Sequence, residues 1–295
     1  MGTHFADVSA TNSLDDVIAL KPGCVLYMAR GTDVDELCAL LASGANVVTT
    51  RGDFHRPASM DDALRTRIED ACRVGNSSIH STGSSPGFIT EAVPLVLTSI
   101  QRRLDHLAIE EFADLSKRDS PDLLFNLMGF GQPPAEVSEL RTAHFLAGFG
   151  PSLQLTADAL GITVDDMHAD GDVAVATRAV DIAAGRIEAG TVAAQRTTVH
   201  AMRGGAPVLS FTATWYCTTD LDAEWDLRDT GWRVRVDGDA PLDVDMRFDV
   251  DLEHMAETTP GYTANRAVNA VPFVCAAEPG IRTSVDLPPI VAHLG

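Results

Sequence analysis

The chain has 295 residues, 45% of them hydrophobic, which is enough to bury a sizeable core and to form two domains. Its 42 acidic residues outnumber its 22 Lys and Arg residues, and the formal net charge of −20 repels phosphate backbones and anionic lipid headgroups. We therefore expect a globular protein that binds neither nucleic acid nor a membrane surface.

Cysteine usage and the N-terminal segment predict where the protein resides. The five cysteines are an odd number, are widely spaced and contain no CxxC pair, which is typical of reduced thiols in a cytoplasm. The first ten residues, MGTHFADVSA, lack the basic and apolar regions of an export signal. No apolar run approaches the ~18 residues that a membrane helix needs. These features predict a cytoplasmic protein.

Short apolar strands alternate with helical segments from Cys24 to about Ala113. Such alternation predicts βαβ units around a parallel sheet. The predicted strands are residues 24–29, 46–50, 77–81 and 106–113, and the predicted helices are residues 33–43, 60–73 and 87–103.

The pattern changes between about Asp172 and Phe248, where apolar and polar side chains alternate with a period of two. This alternation predicts antiparallel strands, and residues 203–206 and 237–239 have the composition of turns between them. A final helix is predicted over residues 263–276.

Together these elements predict an α/β fold with two domains. An incomplete Rossmann-type parallel-sheet domain is expected over residues 1–105, followed by an α+β domain with a mostly antiparallel sheet over residues 106–262. A C-terminal helix and tail, residues 263–295, is expected to return to the first domain.

This plan is frequent among nicotinamide-dependent oxidoreductases, whose G-x-G-x-x-G fingerprint should open the first βα unit. None of the 23 glycines belongs to such a motif, because the runs at residues 129–131 and 148–150 fail at the third glycine. The interpretation that we favour is that the chain begins partway through a dinucleotide-binding domain. The alternative is an α/β fold that never carried this unit.

The stretch STGSSPGFITE, residues 81–91, has the composition of a helix start. Ser85 is predicted to cap the helix, Pro86 suits its first turn, and Gly87 lets a ligand approach the backbone. Free N–H groups at this helix start would then face an anion or a substrate group. The alternative is a purely structural cap.

Four stretches carry a resemblance to a known family. They are NVVTTRGDFHRP (46–57), HSTGSSPGFITEAVPLVLTSI (80–100), IEEFADLS (109–116) and TANRAVNAVPFVCAAEPGIRT (263–283). The chain resembles the dihydrodipicolinate-reductase-like family, in particular its branch of 2,4-diaminopentanoate dehydrogenases and native amine dehydrogenases. The resemblance implies a Rossmann domain, a C-terminal α+β domain with dimer contacts, and NAD(P)-dependent interconversion of an amine with an imine or ketone. We therefore expect a homodimer that acts on a small molecule.

The chain departs from this family in two places. It lacks the glycine fingerprint, which puts its binding of NAD or NADP in doubt. The amine-forming members carry an acidic residue, usually in a Glu-Glu pair, where this chain reads Gly52-Asp53. Only Asp53 is available for the role of that acid.

Asp53 and His55 are the predicted catalytic residues, since they follow a strand end, where open parallel sheets place ligands. Hydride transfer to an imine needs a proton donor or a carboxylate that steadies an iminium, and an acid beside a histidine supplies either. The structural alternative is that Asp53 caps a turn and that His55 packs beside Pro57.

Further residues are assigned by their position at strand and helix ends. The predicted cofactor contacts are Ala29, Arg30, Gly31, Thr49, Thr50 and Arg51. The predicted substrate contacts are His80, Ser84, Ser85, Glu111 and Asn269. Strand alternation sends Glu110 and Glu111 to opposite faces, so one of the two, taken to be Glu111, points into the substrate cleft while the other is solvated. No metal site is predicted, because the histidines show no HxxxH or related spacing.

The sequence thus predicts an NAD(P)-dependent oxidoreductase that acts on a C–N or imine centre. Two alternatives stay open. One is a ketone or aldehyde reductase on the same fold. The other is a truncated or non-catalytic dimeric homologue that cannot hold a dinucleotide.

Overall fold

The computed structural model describes residues 10–134 and 138–292, without the side chains of residues 138–141. The expectation that no export signal is present concerns residues 1–9 and lies outside the described residues. The chain forms two compact units, one comprising the chain up to Ser81 together with the segment from Ala267 onward, the other comprising Thr82–Arg266. Within the described ranges, no helix has the length and apolar character needed to cross a bilayer.

The first unit contains a four-stranded parallel sheet. Its order is β1-β2-β3-β12, and its strands are β1 (Cys24–Tyr27), β2 (Asn46–Thr49), β3 (Ser78–Ser81) and β12 (Gly280–Arg282). The three strands predicted for this region up to residue 81 are therefore confirmed. The fourth predicted strand, residues 106–113, is also present, within Leu104–Asp114, but it belongs to the other sheet, so only its assignment to the parallel sheet is wrong. The C-terminal segment provides β12 instead, which pairs with β3.

Helices cover both faces of this parallel sheet. The helices are α1 (Leu14–Ala19), α2 (Val34–Ala42), α3 (Asp62–Gly75) and the end of α6 (Leu252–Cys275). The Asp33 carboxylate caps α2 by accepting the N–H groups of residues 35 and 36, and Asp61 caps α3 in the same way. Val47 packs with α2 and α3, whereas its neighbour Val48 packs with α6. Successive strand residues thus face opposite helical layers.

The second unit is built on a six-stranded mixed sheet with the order β11-β10-β4-β9-β8-β5. All neighbours are antiparallel except β4 and β9, which are parallel. The strands are β4 (Leu104–Asp114), β5 (Asp166–Val175), β8 (Val192–Arg203), β9 (Ala206–Tyr216), β10 (Gly231–Gly238) and β11 (Leu242–Arg247), with a separate hairpin of β6 (Val180–Ile182) and β7 (Gly185–Ile187). The predicted second, mostly antiparallel sheet is confirmed.

One face of the six-stranded sheet is apolar and packs on helices. Helix α5 (Ser138–Ala159) buries Phe145, Leu153 and Ala157 against strand residues such as Val199 and Phe211. The opposite face is polar: Glu110, for example, pairs there with arginines of β10. The sheet therefore has one core face and one charged face.

Two helix predictions differ from the structure. Residues 84–92 form a wide π-type segment, in which Ser85, Pro86 and Gly87 have non-helical backbone angles, and regular helix α4 covers only Val93–Thr98. The final helix begins at Leu252 rather than near residue 263. The first unit also ends at Ser81, earlier than the boundary predicted after residue 105. The segment 84–98 packs on α5 and therefore belongs with the second unit.

A fully buried polar chain joins the 84–92 segment to α5. The Gly87 N–H donates to Thr90 Oγ1 at 2.9 Å, Thr90 Oγ1 lies 2.6 Å from Ser152 Oγ, and Ser152 Oγ donates to Glu91 Oε1 at 2.6 Å. Thr156 Oγ1 donates to the Thr90 carbonyl at 2.7 Å. Because buried polar groups are costly unless they are hydrogen-bonded, this chain fixes the position of α5.

We expect Ser152→Ala to lower the free energy of unfolding by about 1–3 kcal/mol, because the buried Glu91 carboxylate loses a donor and Thr90 loses an acceptor. Urea denaturation measures this change. The matched control is Ser99→Ala, which removes an exposed hydroxyl and should change stability by no more than about 0.5 kcal/mol. Equal effects of the two substitutions would contradict a stabilising role of the buried chain.

Candidate active site

A cavity of about 850 Å³ lies within the second unit. Strands β4, β9 and β10 and helices α5 and α6 all contribute to its wall. The wall is mostly apolar, and its aromatic rings include Phe145, Phe149, Trp215, Trp232, Phe248 and Tyr262. A concave, mostly apolar site with a few placed polar groups is typical of small-molecule binding.

The aromatic rings are held in place by contacts with one another. Phe145 and Phe149, one helical turn apart on α5, stack at a centroid distance of 4.9 Å. Phe248 packs edge-on against Trp232 at 4.5 Å and also contacts Tyr262 at 4.5 Å. Such pairs contribute roughly 0.5–1.5 kcal/mol beyond the buried area, so the wall is rigid.

Glu111 places a carboxylate in this aromatic wall. Trp215 Nε1 donates to Glu111 Oε1 at 3.0 Å, and Trp232 Nε1 donates to Glu111 Oε2 at 3.0 Å. The two tryptophans lie on β9 and β10, the strands that flank β4. Each carboxylate oxygen can accept a further hydrogen bond, and the adjacent ring faces attract cations. This arrangement is suited to an ammonium group.

Glu110 lies on the other face of the sheet, as the strand alternation predicts. Its Oε2 lies 3.4 Å from Arg235 Nε and 3.8 Å from an Arg233 nitrogen. The two neighbouring glutamates therefore have separate roles. Glu110 contributes to the charged face, and Glu111 faces the cavity.

The predicted helix cap at Ser85 is wrong. Ser85, Pro86 and Gly87 all have non-helical backbone angles, with a φ of 117° at Gly87, so neither Ser85 nor Pro86 begins a helix. The nearby N–H groups are already used: that of Gly87 donates to Thr90 and that of Phe88 to the Gly83 carbonyl. An anion site at a helix start is therefore not formed here.

The serines of this segment nonetheless differ in surroundings. Ser84 lines the cavity, and its hydroxyl lies 2.7 Å from Thr263 Oγ1. Ser85 Oγ is buried, and within the described part of the chain it has no hydrogen-bond partner. Ser84 and Glu111 are thus the two predicted substrate contacts that the structure brings to the cavity.

Asp53 belongs to a polar network of the first unit. Its Oδ2 accepts from Thr32 Oγ1 at 3.0 Å and from Arg51 Nε at 3.4 Å, and Arg51 Nη1 donates to the Arg30 carbonyl at 2.9 Å. The Asp53 side chain is 45% exposed. The network joins the loops that follow β1 and β2, at the carboxyl edge of the parallel sheet, where such folds bind ligands.

The predicted cofactor contacts gather at this same edge. Thr49 is buried and accepts the Arg51 N–H at 3.2 Å, and Thr50 Oγ1 donates to the Met28 sulfur at 3.6 Å. A Cβ at Gly31 would meet no atom within 4 Å, so space is open beside this loop. Ala29 and Arg30 lie in the exposed loop after β1.

The predicted histidines are placed differently. His80 is completely buried, and its Nδ1 lies 2.7 Å from the Arg282 carbonyl, to which it donates. His55 is 2% exposed. Asn269, on α6, is half-buried in the first unit. The predicted residues are therefore divided, with the cofactor and catalytic candidates in the first unit and Ser84, Ser85 and Glu111 in the second.

The sequence prediction missed the aromatic wall. The sequence predicts strands at Trp215 and Trp232 but no site there, although the chain has just three tryptophans. The sequence does contain a signal for this arrangement. A buried indole N–H needs a hydrogen-bond acceptor, and Glu111 is the acidic residue that is predicted to face the same side of the sheet. Phe145 and Phe149 have the four-residue spacing that places two side chains on one face of a helix.

Comparison with known proteins agrees with this architecture. Residues 88–295 match the model of the 2,4-diaminopentanoate dehydrogenase C-terminal domain. The chain is 28% identical over 303 residues to an amine dehydrogenase of Streptomyces virginiae, covering 98% of this chain and 84% of that protein. The solved structure of an amine dehydrogenase from Mycobacterium smegmatis shares the fold, with a TM-score of 0.75, 17% identity and coverage of 97% of this chain and 82% of that one.

The protein is therefore an NAD(P)-dependent oxidoreductase with a Rossmann-like first unit. The family can be stated as well, since its model covers more than half of the chain: the protein belongs to the 2,4-diaminopentanoate dehydrogenase family. The resemblance found in the sequence is confirmed.

The residues of the first unit fit the nicotinamide and ribose end of a nicotinamide cofactor better than its pyrophosphate. The carboxyl edge around Gly31 and Arg51 offers open space, exposed backbone and a cation, which suits the nicotinamide and ribose end. The sequence provides no G-x-G-x-x-G turn for the pyrophosphate.

Proposed function

We propose that the protein interconverts a small primary amine with the corresponding imine or ketone, using NAD or NADP. The observation that carries this proposal is the Glu111 carboxylate, held by two indole N–H groups in an aromatic cavity. The relatives from Streptomyces virginiae and Mycobacterium smegmatis, both named amine dehydrogenases, support the same chemistry.

In this proposal the second unit binds and orients the amine. The ammonium group donates hydrogen bonds to Glu111 while the aromatic rings contact the carbon skeleton and exclude water. Ser84, at the same wall, offers a hydroxyl to the nitrogen. Oxidation of the amine requires the carbon to lose a hydride and the nitrogen to lose a proton, and a bound nicotinamide supplies the hydride acceptor.

Acidic surroundings favour a cationic substrate. A second cleft of about 670 Å³ shares Asp114, Thr230, Phe248 and Met255 with the aromatic cavity. Its wall also contains Asp229, Asp245 and Asp249. With the net charge of −20, this cleft raises the local concentration of an ammonium ion near the cavity.

We propose Asp53 as the proton-accepting group of the first unit, and His55 as the second candidate for this role. Asp53 is exposed enough to meet a ligand, and the network of Arg51 and Thr32 holds its carboxylate at the sheet edge. We also propose that the protein acts as a homodimer, which light scattering of the purified chain measures directly.

We expect Glu111→Gln to lower kcat/KM for a primary amine at least about tenfold, a loss of ~1.4 kcal/mol of transition-state binding. The substitution removes the negative charge and places an amide NH₂ against an indole N–H donor. The measurement is the steady-state rate at which the reduced nicotinamide forms, monitored by its absorbance for each amine of a panel.

The matched control is Glu110→Gln, the neighbouring carboxylate on the opposite face of β4. It should leave kcat/KM for the amine within about twofold, since Glu110 is absent from the residues that line the aromatic cavity. If the two variants lose activity equally, Glu111 has no specific part in amine binding. Fluorescence titration with NADH and NADPH belongs to the same experiment, and the absence of saturable binding to both would refute the proposed function.

We expect Asp53→Asn to lower kcat for the amine by about 10²–10⁴-fold, because a positioned proton acceptor contributes on this scale. The kcat is measured at saturating amine, with Asp35→Asn as the control. Asp35 is an exposed acid on α2 that pairs with Arg67, so its loss should change kcat less than about twofold. Retention of most of the kcat in Asp53→Asn would assign this residue a structural role instead.

A further inference from the structure

We propose that His168, Asp170 and His200 form a binding site for one divalent transition-metal ion on the polar face of the six-stranded sheet. This site is separate from the aromatic cavity and from the sheet edge around Asp53. Its residues do not line either cleft of the second unit.

Strand pairing brings the three side chains together. His168 on β5 is directly opposite His200 on the antiparallel strand β8, and Asp170 follows His168 by two residues, so all three lie on one face. The two imidazole rings are 5.2 Å apart between centroids. One ligand atom from each residue lies within 4.8 Å of the other two.

The spacing of these atoms suits a small metal ion. His200 Nε2 lies 2.9 Å from Asp170 Oδ2, a hydrogen-bond distance. Two ligands at the usual Zn–N and Zn–O distances in a tetrahedral site lie about 3.3 Å apart. A metal ion can therefore replace the shared proton after a small rotation of these exposed side chains.

A fourth residue, Asp166, orients one of the three ligands by a hydrogen bond. His168 Nδ1 lies 3.1 Å from Asp166 Oδ2, so the Nδ1–H donates to this carboxylate and the lone pair is left on Nε2. Metal-binding histidines are commonly oriented by such a carboxylate contact. The group thus has two imidazoles, one carboxylate ligand and one supporting carboxylate.

The donor set indicates the class of metal. Two imidazole nitrogens and one carboxylate oxygen suit zinc, cobalt, nickel or copper rather than calcium or magnesium, which prefer oxygen ligands alone. Three protein ligands leave at least one coordination position for water. Since β5 is the last strand in the sheet order, the metal would join this strand to β8 and stabilise the folded chain.

The test is titration of the full, untagged chain with Zn²⁺ and Co²⁺, followed by calorimetry and by the visible spectrum of bound cobalt. We expect one ion per chain, a visible cobalt band of a site with nitrogen and oxygen ligands, and a rise in Tm. His168→Ala and His200→Ala should each weaken binding at least about tenfold, and Asp166→Asn should weaken it about tenfold. These surface substitutions are checked for an unchanged far-UV spectrum.

The matched control is His254→Ala. His254 Nδ1 lies 3.7 Å from Asp251 and is likewise an exposed histidine beside an aspartate, but it lacks the third ligand. Its loss should not change the affinity. Cys275→Ser removes the exposed thiol and should also leave binding unchanged. Absence of one-to-one binding, or binding that survives His200→Ala, would overturn the proposal.

Discussion

The second unit depends on the carboxylate of Glu111 and its two indole donors. A charged group in a half-buried position is costly unless it is hydrogen-bonded, and Trp215 and Trp232 satisfy one oxygen each. This requirement fixes both indoles on the strands beside β4, and the rings of Phe145, Phe149 and Phe248 pack around them. The aromatic cavity is built around this one interaction.

Strand alternation separates the roles of neighbouring residues in the six-stranded sheet. Glu111 faces the aromatic cavity, while Glu110, one residue earlier, joins the arginine pairs of the charged face. The same rule puts His168 and Asp170 on one side of β5. A one-residue shift in register would therefore destroy both the aromatic cavity and the histidine cluster.

The sequence predicts local structure well where one physical signal dominates. Apolar runs predict β1, β2 and β3, and the helical segments between them predict α2 and α3, whose first turns Asp33 and Asp61 cap. The prediction fails where strands far apart in the sequence pair with each other. The βαβ alternation cannot show that β12, rather than β4, pairs with β3. Ser85 resembles a cap, but this residue and the two after it have non-helical backbone angles, and the Gly87 N–H donates to Thr90 instead. The contacts of Glu111 with two tryptophans, and the facing pair of His168 and His200, depend on the register between neighbouring strands. Residue spacing along the chain does not predict that register.

The central claim is that the Glu111 cavity binds an ammonium group, and tryptophan fluorescence tests it directly. Two of the three tryptophans donate to Glu111, and Trp225→Phe removes the third, whose ring lies beneath Arg196. This variant is titrated with a primary alkylamine and with the alcohol of the same carbon skeleton. We predict a saturable change in fluorescence with the amine and at least about tenfold weaker binding of the alcohol. Equal affinities, or no response to either compound, would contradict the account.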